Sequence, residues 1–189
     1  MYKKYEFPLN IFIILEKDDL KFFTSEKLTP NHYICLIKPN SIFLLNQILK
    51  NEFSLTGSML IELSSIDSLK YNKIIEDLTI LFKKNRNLIF YIYYFFSIKT
   101  KLTFITYQNK KNIFSIDSIY KNAGWLEREV SEMFNINFSF KKDLRKLLLD
   151  YSKDEYPMLK DFNSEGLSDV FYNFFEENVS YLNNDNVEL

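Results

Sequence analysis

The run Asn87–Tyr107, NLIFYIYYFFSIKTKLTFITY, decides the fold. Its first half, Asn87–Ser97, is the most apolar stretch of the chain, yet about half as long as a membrane-crossing helix must be. Isoleucine, tyrosine and phenylalanine dominate it, and such side chains suit a pleated strand covered on both faces. Thr100–Tyr107 alternates between apolar and polar residues, and Lys99–Thr100 falls between the two runs. The pattern predicts an antiparallel hairpin with Asn87–Ser97 as a central strand.

Towards the N-terminus, Ile74, Ile75, Leu78, Leu81 and Phe82 recur at helical spacing and predict a helix ending at Lys83-Lys84-Asn85. Gly57 precedes a strand over Ser58–Leu63. Ser41–Phe53 reads as a helix with Ser41 as N-cap and Phe43, Leu44, Ile48 and Leu49 on its apolar face. Pro30 and Pro39 bound a strand over Asn31–Lys38, and Met1–Ile14 reads as a short helix or strand on the core.

Towards the C-terminus, Asn112–Ile119 is expected as a strand leading into a helix. On that helix Leu126, Val130, Met133 and Phe134 form the apolar face. Glu127, Arg128, Ser131 and Glu132 are expected to point away from it, with Arg128 and Glu132 paired on the solvent side. Asn135 stands where a helix commonly ends in a left-handed residue. Asp143 opens a second short turn, with Leu144, Leu147 and Leu148 on one side. Pro157 favours an extended Tyr156, so Tyr156–Phe162 is expected to leave the core as a strand-like arm. These elements predict an α+β fold over residues 1–155, with a mixed, largely antiparallel sheet and helices mainly on one face. An extended C-terminal arm follows over residues 156–189, whose aromatic side chains are expected to dock on partner subunits.

Composition narrows the chemistry. The net charge of −1 and pI near 6.0 argue against a dedicated nucleic-acid binder. One Cys (Cys35) permits neither an internal disulfide nor a four-thiolate cluster, and one His (His32) excludes a multi-histidine metal site. The His32-x-x-Cys35 pair reads as a half-buried strand residue beside a structural thiol. Three glycines, Gly57, Gly124 and Gly166, make no phosphate-cradling loop. No catalytic, cofactor-binding or metal residue is therefore expected. Arginine is scarce: two of the three, Arg128 and Arg145, fall between Ala123 and Phe162 beside the only Trp, Trp125. Where a Lys-biased chain keeps Arg, the planar bidentate donor is a reason to look.

That segment carries an ordered motif: Trp125-x-Glu127-Arg128-Glu129-Val130-x-x-Met133-Phe134, Phe138, Asp143-Leu144-Arg145-Lys146-Leu147-Leu148, Asp150-Tyr151, and Pro157-x-x-Lys160-Asp161-Phe162. Ser115, Tyr120 and Ala123-Gly124-Trp125 lead into it, and Gly166-x-x-Asp169-Val170-x-Tyr172 follows it. The series resembles the signature of the hydrophilic thirty-kilodalton subunit family of respiratory complex I, the proton-pumping NADH:quinone oxidoreductase. The firm likeness covers about Ser115–Tyr172. Asn135 stands in place of the family's Gly, Lys141 near its His, Tyr156 at the His before Pro157, and Leu159 in place of an Arg.

The resemblance implies a structural and assembly subunit of the peripheral arm, supporting the quinone-reducing module, with no cofactor of its own. FMN and iron–sulfur clusters would belong to partner subunits. The implied partners are other peripheral-arm subunits, chiefly the large quinone-site subunit, with no nucleic acid and no direct membrane span. The implied interface residues are Trp125, Glu127, Arg128, Glu129, Met133, Phe134, Asp143, Arg145, Asp150, Tyr151, Pro157, Lys160, Asp161 and Phe162. Arg128→Lys is then expected to weaken assembly while leaving the isolated domain unchanged.

The bias towards Lys, Asn, Ile, Phe and Tyr fits an AT-rich genome, and with the resemblance it favours a mitochondrially encoded chain. Its place would be the matrix side of the inner membrane. The first forty residues lack the Arg-rich, acid-poor character of an import peptide. Two other functions compete. A carboxylate enzyme would use Glu127, Glu129 or Glu132, but helical offsets scatter them. An organellar ribosomal or RNA-binding protein would use the Lys141–Lys146 cluster, against an acidic overall balance.

Overall fold

The computed structural model describes residues 22–24, 32–51, 57–69, 85–97, 99–108, 113–151, 154–163, 166 and 168–183. In chain order they form β1 (Phe22–Thr24), β2 (His32–Leu36), α1 (Ile42–Asn51), β3 (Ser58–Asp67), β4 (Asn87–Phe95) and β5 (Thr100–Tyr107). Then come β6 (Ile113–Phe114), α2 (Ala123–Phe134), β7 (Phe138–Ser139), β8 (Ser168–Asn173) and β9 (Asn178–Asn183).

The main sheet has the order β1-β2-β5-β4-β3. β4 and β5 form the expected hairpin, in register from Leu88–Tyr107 to Phe95–Thr100, and Lys99 takes the left-handed φ of 49° that closes the turn. β3 adds to β4 and β1 to β2, both antiparallel, while β2 joins β5 in parallel. The sheet is thus mixed and largely antiparallel, and the fold is α+β.

Strand alternation sorts side chains into two layers. Cys35, Leu60, Leu63, Ile89, Tyr91, Tyr93, Phe95, Leu102 and Phe104 face α1 and α2 and form the main core with them. Leu36, Leu88 and Ile105, with Ile34, Phe90 and Tyr107 beside them, form a smaller cluster on the opposite face. Both described helices therefore lie on one face, and on the other face of β4 Leu88 is buried while Phe90, Ile92 and Tyr94 are half-buried. Several polar side chains in and beside the main core are bonded across elements, whereas the buried Tyr91 hydroxyl meets no partner among the described residues. The Tyr93 hydroxyl donates to Asn46 Oδ1 on α1, and the hydroxyls of Ser58 and Tyr120 pair at 2.9 Å. His32 Nε2 meets Thr103 Oγ1 at 2.8 Å across the parallel pair. Burial lowers the His32 pKa, with the Lys101 charge adding to it, and burial raises that of Cys35.

Several expectations need correction. Pro39–Ser41 forms a 3-10 turn running into α1, so Ser41 is inside the helical segment rather than its cap. The buried stripe of α1 is Ile42, Leu45 and Leu49, and Leu44 is exposed. The run Ile42–Leu45 offers two overlapping stripes at helical spacing, and packing selects the other one. The strand expected over Asn112–Ile119 shrinks to β6, which pairs in parallel with β7 away from the main sheet. Residues 156–162 do not leave as a strand. They turn back: Met158 N donates to Met133 O, Lys160 N donates to Asp67 Oδ2, and Leu159 packs on the core. The elements read over Met1–Ile14 and Ile74–Phe82 lie outside the described residues.

Candidate functional site

α2 starts beside Asn122, whose amide Nδ2 donates to Leu60 O on β3 rather than capping its own helix. It ends at Asn135, in the left-handed conformation (φ 55°, ψ 47°) expected there. Its buried stripe is Ala123, Glu127, Val130 and Phe134, with Leu126 and Met133 partly buried beside it. The spacing places Glu127 on the core face, three residues before Val130 and seven before Phe134.

Glu127 is fully buried and its carboxylate is saturated. Ile116 N donates to Oε1 at 2.8 Å, while Ser115 Oγ at 2.7 Å and Lys141 Nζ at 3.0 Å donate to Oε2. Lys141 Nζ also donates to Gly124 O at 2.8 Å. The ion pair is sequestered, with the Lys141 side chain 2% exposed, so hydrogen bonds from every side offset its desolvation. A Cβ at Gly124 would lie 3.1 Å from Asp117 Oδ1, which favours glycine at this crowded first turn.

Glu132, expected in solvent, is also buried. It accepts from three successive backbone amides, Leu147 and Leu148 at 2.9 Å and Leu149 at 3.4 Å. The 143–151 segment has no helical turn, so the amides that a helix would pair internally point at this carboxylate. Arg128 does not pair with Glu132. Its guanidinium donates to Arg145 O (2.7 Å), Lys146 O (3.1 Å) and Asp143 Oδ2 (3.4 Å), and lies 5.7 Å from the centre of the Trp125 ring. The short turn expected from Asp143 does not form; its Oδ1 instead accepts from Arg145 N two residues on. The Arg145 side chain, then that backbone amide, then the Arg128 charge hold the Asp143 carboxyl well below the usual range. Lys146 Nζ bonds Asp150 O and Asp154 Oδ1, and the Tyr151 hydroxyl donates to Lys146 O.

A second knot ties the chain after Pro157 to the sheet. Asp67, buried at the end of β3, accepts from Arg86, Leu69 N and Lys160 N. Arg86 also donates to Asp161 Oδ1. Burial works to raise the Asp67 pKa, but the Arg86 bond, the two amides and the Arg86 charge outweigh it, and the net shift is downward. Arg86 likewise lowers Asp161.

Of the motif residues, Glu127, Met133 and Phe134 thus serve the core. Arg128, Asp143 and Arg145 shape the loop, while Pro157, Lys160, Asp161 and Phe162 lie in the returning turn. Trp125, Glu129, Asp150 and Tyr151 are exposed. Sequence reasoning missed the parts that Lys141, Glu132, Asp67 and Arg86 play. The scarcity of arginine was signal enough for Arg86, since it is the third of three. Among the described residues, no group of three His, Cys, Asp or Glu side chains is placed to hold a metal ion.

The family model of the respiratory-chain NADH dehydrogenase 30 Kd subunit matches residues 35–168. The NADH-ubiquinone oxidoreductase subunit 9 of Paramecium primaurelia is 36% identical over 186 residues, covering 98% of this chain and 88% of the relative. The protein of the same description from Dictyostelium citrinum is 30% identical over 136 residues, covering 71% of this chain and 61% of that protein. A solved trypsin-resistant fragment of Nqo5 shares the fold with a TM-score of 0.55 at 13% identity, over 72% of this chain and 98% of the fragment. A chain of an archaeal membrane-bound sulfane sulfur reductase shares it with a TM-score of 0.61 at 18% identity, over 82% of this chain and 85% of that one. The buried Glu127, the Arg128 clamp and the Asp67 knot therefore sit within a matched whole, and the chain belongs to the family of the 30 Kd subunit of respiratory-chain NADH dehydrogenase.

Proposed function

We propose that this chain is a structural subunit of the peripheral arm of proton-pumping NADH:ubiquinone oxidoreductase, holding the quinone-reducing module without a cofactor or active site of its own. The observation that carries the reading is where the motif's charges go. Glu127, Glu132 and Asp143 are occupied as internal acceptors, while Trp125, Leu144, Leu148 and Tyr151 are more than 60% exposed. Ionic bonds shape the surface and apolar side chains face outward, which suits a rigid docking face rather than an acid–base site. The same pairs speak against RNA binding. Lys141, Arg145 and Lys146 each meet a carboxylate, so most of the basic cluster is paired within the chain.

FMN and the iron–sulfur clusters reside in partner subunits, of which the large quinone-site subunit is the chief contact. No described helix is long and apolar enough to cross a membrane. The chain joins the matrix face of the mitochondrial inner membrane through those partners. Native-gel separation of gently solubilised source membranes tests this. The chain is expected in the large band that stains for NADH dehydrogenase activity, and the pure, folded chain is expected to be colourless and without NADH binding. Migration alone or with ribosomes, or flavin or cluster absorbance in the pure chain, overturns it.

A further inference from the structure

The C-terminal half of α2, the turn at Asn135 and the 141–146 loop enclose a cleft of about 140 Å³. One water takes about 30 Å³, so the cleft holds a few waters or one small polyatomic ion. Its charged acceptors are engaged. Both oxygens of Asp143 accept from Arg145, and Oδ2 accepts from Arg128 as well. Glu132 accepts the amides of Leu147, Leu148 and Leu149. Lys141 and Lys146 also reach the cleft, but their ammonium groups are held by Glu127 and Asp154. Several donors are not engaged. The hydroxyls of Ser131 and Tyr156 and the side-chain amides of Asn135 and Asn137 meet no hydrogen-bond partner among the described residues. Arg145 turns its Nε–Nη2 edge to Asp143, which leaves the Nη1 edge unbonded. Arg128 adds a positive charge pinned in place by its three bonds.

These donors come from separate segments: Ser131 from α2, Asn135 and Asn137 from the turn after it, Arg145 from the loop and Tyr156 from the returning chain. Guanidinium and hydroxyl donors gathered in this way match an oxyanion. Donors on several sides suit a tetrahedral oxyanion better than a planar carboxylate. We propose that the cleft binds a soluble phosphate group, carried by inorganic phosphate or by a small monoester. Asp154, exposed beside Lys146, would set like charge against the phosphates of an anionic bilayer. The site uses this chain alone and is independent of the subunit reading.

The test titrates inorganic phosphate and glycerol 3-phosphate against the full chain. Chloride and acetate at matched ionic strength are the controls, with phosphatidylcholine vesicles carrying phosphatidic acid as a further probe. Phosphate is expected to raise the thermal midpoint where chloride and acetate do not, and to shift the amide resonances of Asn135, Asn137 and Arg145. Either phosphate compound supports the site, and the tighter one names the source. Arg145→Gln is expected to weaken binding about tenfold, as loss of a charge-assisted hydrogen bond does. Asn135→Gly/Tyr156→Phe is expected to weaken it several-fold. Glycine accepts the left-handed φ of 55° and neither lost group has a partner, so the midpoint of this variant without phosphate should not fall. A phosphate response no larger than that of chloride, an equal response to acetate, undiminished binding in both variants, or binding to the vesicles in place of soluble phosphate overturns the site. The subunit reading stands in each case.

Discussion

Glu127 and Lys141 form an ion pair with both side chains out of water, and such pairs respond unevenly to change. Deleting one member leaves a buried charge without its counter-ion, which costs about 3–5 kcal/mol. Lys141→Met should therefore lower the urea midpoint of the isolated chain by a large margin. Glu127→Gln in the same background should recover part of it, because a neutral acceptor remains for Ser115 and Ile116. Asp67 sets a different dependence. Its folded pKa lies below the ordinary 3.8, so its contribution is present above that value and is lost as pH falls through the folded one. Asp161 acts in the same direction through Arg86. Stability measured from pH 5 to pH 2 should fall, and Asp67→Asn should flatten the fall while lowering stability near neutrality by about 1–3 kcal/mol. None of these pairs can be read from spacing. Lys141 lies fourteen residues from Glu127 and Asp161 seventy-five from Arg86, so only the fold brings them together.

At the scale of elements, β4, β5 and α2 were legible because their patterns are long and of one period. The left-handed end of α2 at Asn135 also follows from the sequence. Its polar face did not. Hydrophobicity treats a glutamate as solvated, whereas Glu127 and Glu132 are buried because each gains amide or ammonium donors from a neighbouring loop. Arg128 shows the consequence. Its donors are spent on Arg145 O, Lys146 O and Asp143 within the chain, which contradicts an unchanged isolated domain in Arg128→Lys. An ammonium cannot span those three acceptors in one plane. The isolated variant should lose about 1–2 kcal/mol and exchange the amide protons of Leu147–Leu149 faster, read by denaturation and by hydrogen exchange.

For the whole molecule, the largest gap between sequence and structure is the path after Pro157. Proline and its extended neighbour imply a chain departing from the core, yet the Asp67 knot draws it back, and the exposed apolar sheet begins only at Ser168. The parallel pairing of β2 with β5 was equally hidden, because it joins His32–Leu36 to Lys101–Ile105 across the whole β3–β4 region. Cys35 lies in that seam, wholly buried and opposite Phe104, and burial keeps its thiol protonated. Only a thiolate in contact with solvent reacts with an alkylating reagent. The single thiol thus serves as an internal clock. At saturating reagent, alkylation of Cys35 counts each parting of the central strands, and intact-mass spectrometry can time that event in the chain alone or within its assembly.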